Sequence, residues 1–328
     1  MSRTSSFAAL AVLLGLLAAP LMTCATAQTF TDAAKAGDDY KIQGEYVGTI
    51  KTDDGEVKRG AQVIALGDGK FQAVGYAGGL PGDGWKRGDE MVKCEGALKD
   101  GVVTLAHDNV VGTLKDGIIK VAVDGKECGE LKKVERKSPT IDAKPPAGAL
   151  VLFDGSGVDQ WVNGKLTEDK LLAPSNVETK EKFGDHTLHI EFRTPFMPKA
   201  RGQSRGNSGV YMQGRYELQV LDSFGLEGEN NECGGIYQIA KPIVNGCLPP
   251  LAWQTYDIEF TAAKYDAAGK KTANARVTIK HNGITIHDNL ELPKETPGWH
   301  KEGPGPDGIF LQNHGNPVAF RNIWVVKK

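Results

Sequence analysis

Beyond its first 27 residues the sequence has no apolar run approaching the ~20 residues that a membrane-spanning helix needs, so no helical span is expected there. Charge of one sign is also scarce. Thirty-nine Lys and Arg stand against 41 Asp and Glu, a net charge of -2, which gives no basic patch of the kind a phosphate backbone requires. The expected partner is neutral or small rather than a nucleic acid. Long stretches of helical periodicity are missing, which argues against strands alternating with helices. Cysteine is limited to five residues, and no C-x-x-C spacing occurs among them, which weakens a Cys-based metal site.

The N-terminus carries what the rest lacks. Arg3 precedes an apolar run from Phe7 to Leu21, and small residues end in Ala25-Thr26-Ala27, an A-x-A cleavage site. Residues 1–27 are therefore expected to be a secretory signal, with the mature chain beginning near Gln28 and working in the periplasm, at the cell surface or outside the cell. An uncleaved anchor is the alternative, against which Pro20 interrupts the run. Leu21-Met22-Thr23-Cys24 offers a third reading, a lipid anchor at Cys24, although Thr23 is larger than the Gly, Ala or Ser such a box prefers. Export leaves Cys94, Cys128, Cys233 and Cys247 in an oxidising compartment. Proximity in sequence favours two disulfides, Cys94 with Cys128 and Cys233 with Cys247.

An all-β chain is expected. After a lead-in from Thr29 to Asp39, short alternating segments run from Gly44 to Ile50, Gly60 to Ala65, Lys70 to Tyr76, Val102 to Ala106, Asn109 to Leu114 and Ile118 to Val123. Asp-Gly dipeptides at 54–55, 68–69, 100–101, 116–117 and 124–125 accept positive φ and read as hairpin turns, so residues 28–136 form a small β sandwich or barrel. A Pro-containing linker at 137–147 follows, and residues 148–328 carry longer strands: Thr187 to Arg193, Ser208 to Gln213, Tyr216 to Leu221, Thr255 to Ala262, Ala275 to His281, Ile284 to Asn289, Gly308 to Gln312 and Val318 to Val326. So many strands without intervening helices imply two packed antiparallel sheets, a jelly-roll β-sandwich.

Alternation within these strands separates core from groove. Leu188, Ile190 and Phe192 face one way while His189, Glu191 and Arg193 face the other; Leu218 and Val220 likewise oppose Glu217 and Gln219. A concave sheet bearing Glu191, Glu217 and Gln219 together would be a sugar-sized groove floored by carboxylates, and a solvated sheet face is the plain alternative. Arg205-Gly206-Asn207-Ser208-Gly209-Val210-Tyr211 lets backbone approach a ligand closely, and Leu311-Gln312-Asn313-His314-Gly315-Asn316 ends a strand in a loop with an imidazole. Trp161, Trp253 and Trp299 are either core or stacking platforms for sugar rings.

Six segments in order, LFDGSGVDQW, FGDHTLHIEFRTP, NSGVYMQGRYELQVLDS, CGGIYQIAKP, TYDIEF and GIFLQNHGNPVAFRNIWV, resemble the 3-keto-disaccharide hydrolase family from Ala147 to Lys328. The resemblance implies a concanavalin-like jelly roll and cleavage of glycosides already oxidised to the 3-keto sugar. Asn313 departs from the Asp of the family's LQ-D-H-G pattern, and Gln213 stands where Arg commonly follows the NSG strand. A ketone at C3 acidifies the C2 proton, so the bond can break by proton removal and loss of the C1 group, followed by addition of water. Such chemistry needs a base, an enolate stabiliser and a proton donor. Glu217 or His314 is the expected base, with Glu191 as a further catalytic carboxylate. Asn207, Tyr211, Gln219 and Gln312 are expected to bind the sugar, Arg193 or Arg321 to face the oxyanion, and Asp222 to be a turn or, past a bulge, a groove residue. A divalent metal held by Glu191, Glu217 and His314 is the alternative arrangement. The competing functions are a lectin-like binding module and a surface-assembly protein docked through its first domain.

Overall fold

The computed structural model describes residues 28–328, so the expected signal sequence and the alternative lipid anchor at Cys24 lie outside the described residues. The chain forms an up-and-down β-barrel followed by a two-sheet sandwich.

The barrel closes eight antiparallel strands in chain order, Gly44–Thr52, Gly55–Gly67, Lys70–Ala77, Met91–Lys99, Val102–His107, Val110–Lys115, Ile118–Val123 and Lys126–Val134, with the first pairing the last. Its hairpins turn where the Asp-Gly pairs stand: Asp116 and Gly117 both take positive φ (48° and 76°), as do Asp124 and Gly125 (50° and 77°), the primed turns whose twist suits paired strands. Inward-facing Tyr46, Val63, Phe71, Val103, Leu114 and Leu131 fill one end, where the short helix Gly37–Ile42 packs Tyr40 and Ile42 against them. That end is sealed. Met91–Lys99 and Lys126–Val134, which are not among the expected strands, complete the barrel.

The sandwich stacks a six-stranded sheet, ordered Leu150–Phe153, Ala319–Lys327, His186–Arg193, Gln254–Thr261, Ala275–His281 and Ile284–Leu292, on a five-stranded one. The latter runs Trp161–Val162, Val177–Thr179, Phe310–Leu311, Ser208–Met212 and Tyr216–Val220. Leu188, Ile190 and Phe192 from one sheet meet Val210, Leu218 and Val220 from the other in a single core, which confirms their inward assignment. Asn282 and Gly283 make the expected tight turn with φ of 51° and 79°.

Residues 137–147 do not hang free between the domains. They lie on the outward face of the six-stranded sheet, where Ser138 Oγ is 2.6 Å from Thr255 Oγ1, Thr140 Oγ1 donates to Asp257 at 2.6 Å, and the Ala143 carbonyl accepts from Asn322 at 3.0 Å. The barrel's outer wall grips the 221–249 loop of the sandwich. Ile64, Val74, Tyr76 and Trp85 cluster with Phe224 and Val244, and Arg87 donates to the carbonyls of Glu227, Gly228, Pro242 and Ile243.

The expected disulfides are absent: all four described cysteines are free thiols. Cys94 and Cys128 sit on strands separated by three others around the barrel, which rules out their bond. Cys233 and Cys247 do face each other in the core, fully buried as hydrogen-bonded thiols, with Cys233 Sγ also 3.2 Å from the Tyr256 hydroxyl.

Candidate active site

The outward face of the five-stranded sheet gathers residues from four strands into one row. Glu178 pairs Phe310, Phe310 pairs Tyr211, and Tyr211 pairs Glu217, while the positions on the opposite face, Val177, Leu311, Val210 and Leu218, belong to the core. Alternation alone therefore sends this row outward. Loops then roof it: Thr296 Oγ1 accepts from the Glu217 backbone N–H at 2.9 Å, and Gly298 presses on the Tyr211 ring so closely that a Cβ there would come within 2.7 Å of it.

Glu217 is the chemical centre of the row. It is 3% exposed, and burial raises its carboxyl pKa to about 7, with the Tyr211 hydroxyl bond pulling back part of that rise. Gly209, beside both, is required to be glycine, since a Cβ would stand 2.6 Å from Glu217 Oε1 and 2.8 Å from the Tyr211 ring. Burial pushes the Tyr211 phenol far above its ordinary value, so it stays a proton donor. Gln312 Nε2 donates to the Tyr211 oxygen at 3.0 Å while Gln312 Oε1 is buried without a partner. A buried acceptor of that kind suits a hydroxyl-bearing ligand.

Two residues along the strand from Glu217, Gln219 donates to Asn207 Oδ1 at 2.9 Å, and Asn207 donates to the Gln203 side chain at 3.0 Å. Asn207 N–H is held by Asn316 Oδ1 at 2.7 Å, which ties the NSG strand to the His314 loop. Asp222 lies past the end of its strand, buried, and accepts from Arg205 Nε at 2.6 Å. It braces the Arg205–Asn207 approach rather than facing the row. Asn313 Oδ1 caps Gly315 N–H at 2.9 Å, and His314 beside it is exposed on the loop.

The remaining expected residues lie elsewhere. Glu191, Arg193 and Arg321 belong to the six-stranded sheet, and their side chains point away from the core on its far side, so the two sheets of the sandwich separate them from Glu217. Glu191 is fully buried there, accepting from Arg321 Nε at 2.7 Å, Asn322 at 2.9 Å and Asp142 N–H at 2.5 Å. Arg193 and Arg321 both sit over the Trp253 ring, at 5.0 and 4.2 Å from its centroid. The proposed oxyanion arginines and the Glu191–Glu217–His314 metal set are thereby corrected. Glu191, Arg193 and Glu217 do point outward as alternation predicts, but two different sheets supply the two directions.

Of two features beside the row, Trp299 is among the tryptophans considered as stacking platforms, whereas the acidic group Glu178, His300 and Asp307 was not expected. Trp299, 46% exposed, stacks on Phe310 at 4.3 Å and 6° and donates to Glu178 Oε2 at 3.0 Å, leaving a flat apolar surface beside the row. Trp161, by contrast, is buried, with its indole N–H on the Leu152 carbonyl. Next to Trp299, Glu178, His300 and Asp307 offer three ligand atoms within 4.8 Å of one another. Among the described residues this is the group with metal-like spacing. Asp307 is already neutralised by Lys182 at 3.0 Å and Arg215 at 3.3 Å and capped by the Gly308 N–H, so the trio is an ion-pair network whose acid a metal would have to take from two cations.

Residues 148–326 match a family described as the 3-keto-alpha-glucoside-1,2-lyase-like domain, and the barrel lies outside the match. A solved protein of Parabacteroides distasonis, described as a candidate glycosyl hydrolase, is 34% identical over 56% of this chain and 85% of its own, with a TM-score of 0.51. A second protein of that organism and description is 17% identical over 55% of this chain and 94% of its own, with a TM-score of 0.39. No protein of curated function matches the chain.

Proposed function

Since the chain belongs to the 3-keto-α-glucoside-1,2-lyase-like family, we propose that it is a carbohydrate-active enzyme that cleaves 3-keto-glycosides at the Glu217 face of its sandwich. The observation that carries the reading is a carboxyl held near pH 7 by burial, where a base can take up and release a proton at neutral pH. Ionised Glu217 removes the C2 proton made acidic by the neighbouring ketone. Electrons move into an enolate, and its collapse expels the C1 oxygen, leaving a C1–C2 double bond to which water adds.

Tyr211 is suited to the enolate. Its phenol hydrogen-bonds Glu217 at rest, and once Glu217 has taken the proton that hydrogen bond is free to turn to the developing oxyanion. Gln312 Oε1 and the Gln219–Asn207 amides meet sugar hydroxyls, and the Trp299–Phe310 stack offers a platform to a ring face. His314, exposed on the adjoining loop, is the side chain we assign to meet the leaving oxygen. The charge, apolar run and A-x-A pattern of residues 1–27 support a reading in which the enzyme is exported to the compartment where such glycosides would be met.

The test is release of the aglycone from a 3-keto-glycoside and from its unoxidised parent, each with and without chelator. Release from the keto form alone is expected. Turnover of the parent at an equal rate contradicts the keto mechanism, and binding without release makes the protein a lectin-like module.

A further inference from the structure

The barrel is sealed at one end and open at the other. Large residues crowd the end under the Gly37–Ile42 helix, whereas toward the turns at 53–54, 108–109 and 124–125 the inward positions become small or short: Ala73, Gly75, Ala77, Gly112. The outcome is a cup of about 290 Å³, walled by Ile50, Val92, Cys94, Val110, Val121 and Val123. At about 30 Å³ per heavy atom, the share a water molecule takes in the liquid, this is room for roughly ten. Eight strands close on an interior that either fills with side chains or holds one small ligand, and here the two halves do one each.

The rim of the cup carries one loose ion pair. Arg59 and Glu90 line it, and their closest approach is 3.8 Å, beyond hydrogen-bond length. The Arg59 side chain is 29% exposed and lies along the wall; Glu90 is 69% exposed and turned to water. A carboxylate headgroup at the mouth meets a guanidinium whose ion pair with Glu90 is long and without a hydrogen bond, and it displaces the exposed Glu90 side chain to make the closer, bidentate contact.

We propose that the barrel is a binding site for a free single-chain amphiphile, an apolar tail of about ten heavy atoms in the cup with its carboxylate on Arg59. This site is independent of the Glu217 face and gives the first domain a function of its own.

Cys94, on the cup wall, supplies the readout. Decanoate is expected to slow alkylation of Cys94 by N-ethylmaleimide in the purified protein while leaving Cys128 unchanged, and decyltrimethylammonium is expected not to protect. Arg59→Gln should weaken decanoate by about tenfold and decanol by less than twofold, because only the acid uses the guanidinium. Ala73→Phe, which fills the cup, should abolish protection by both. Equal protection by the cationic and anionic chains, or Cys94 reacting at one rate with and without decanoate, overturns the proposal. Protection by phosphatidylglycerol vesicles without protection by free decanoate also overturns it, in favour of a membrane surface.

Discussion

On the outward face of the six-stranded sheet Glu191 receives three hydrogen bonds, one from a guanidinium, and His189 beside it stacks on Trp324 and bonds Asp257 at 2.6 Å. On the outward face of the five-stranded sheet Glu217 has a phenol and no cation among its pKa-shifting partners. Both acids are buried, yet they are shifted oppositely. Burial pushes each up, but at Glu191 the His189, Asn322, Asp142 and Arg321 partners win and the carboxyl ends below its ordinary value; at Glu217 burial wins. A compensated buried acid holds structure, and an uncompensated one is available for proton transfer.

The sharpest break between the faces should come from Glu217→Gln. It is expected to lower kcat/KM on a 3-keto-glycoside by about 10²–10⁴-fold, the range of general-base contributions, with an unchanged circular dichroism spectrum. Glu191→Gln should leave kcat/KM within about threefold. A comparable loss from Glu191→Gln would unite the two faces functionally and defeat the comparison.

Stability should invert the ranking. Glu191→Ala removes the bonds from Arg321 Nε, Asn322 and the Asp142 N–H, while Arg321 keeps Asp142 Oδ1, and is expected to destabilise by about 1.5–3 kcal/mol in urea unfolding. Glu217→Gln should instead stabilise at high pH. The folded pKa of Glu217 exceeds the unfolded value, so its contribution is fully favourable below about pH 4.5 and is lost as pH rises through about 7, on the order of 3 kcal/mol. The stability of Glu217→Gln relative to the native protein should therefore grow between pH 5 and pH 8.5. A flat difference would mean that the carboxyl is not raised.

Catalytic pH dependence gives a smaller effect. The kcat/KM profile should rise through about pH 7 as Glu217 ionises, and Tyr211→Phe should move that limb upward by less than one unit, since the phenol bond lowers the carboxyl. The smallest change is expected from Trp299→Ala, roughly a tenfold higher KM with kcat little altered, because its exposed ring offers stacking rather than chemistry.

Why the sequence revealed some of this and hid the rest can be traced to particular strands. Leu188, Ile190, Phe192 and Leu218, Val220 fix which residues face the core, and the Asp-Gly turns fix the barrel's hairpins. Alternation is blind to which sheet a strand joins, so Glu191 and Glu217 looked like neighbours. Glu178 was hidden in the three-residue strand Val177–Thr179, too short for any period to register. Met91–Lys99 alternates faithfully, but its inward residues include Cys94 and Gly96, weak signals of an interior. Lys126–Val134 was obscured by a register shift between Glu127 and Gly129, which breaks the period at its middle. The docking of 137–147 onto a sheet face leaves no mark in composition, because two prolines and polar residues describe a packed strap as well as a free spacer.

The most direct measurement of the central claim is deuterium wash-in at C2 of unreacted 3-keto-glycoside in D₂O, followed by proton NMR with native protein and Glu217→Gln. Exchange at C2 with the native protein and its loss in Glu217→Gln is the predicted result. Undiminished exchange in Glu217→Gln would contradict it, placing the base elsewhere.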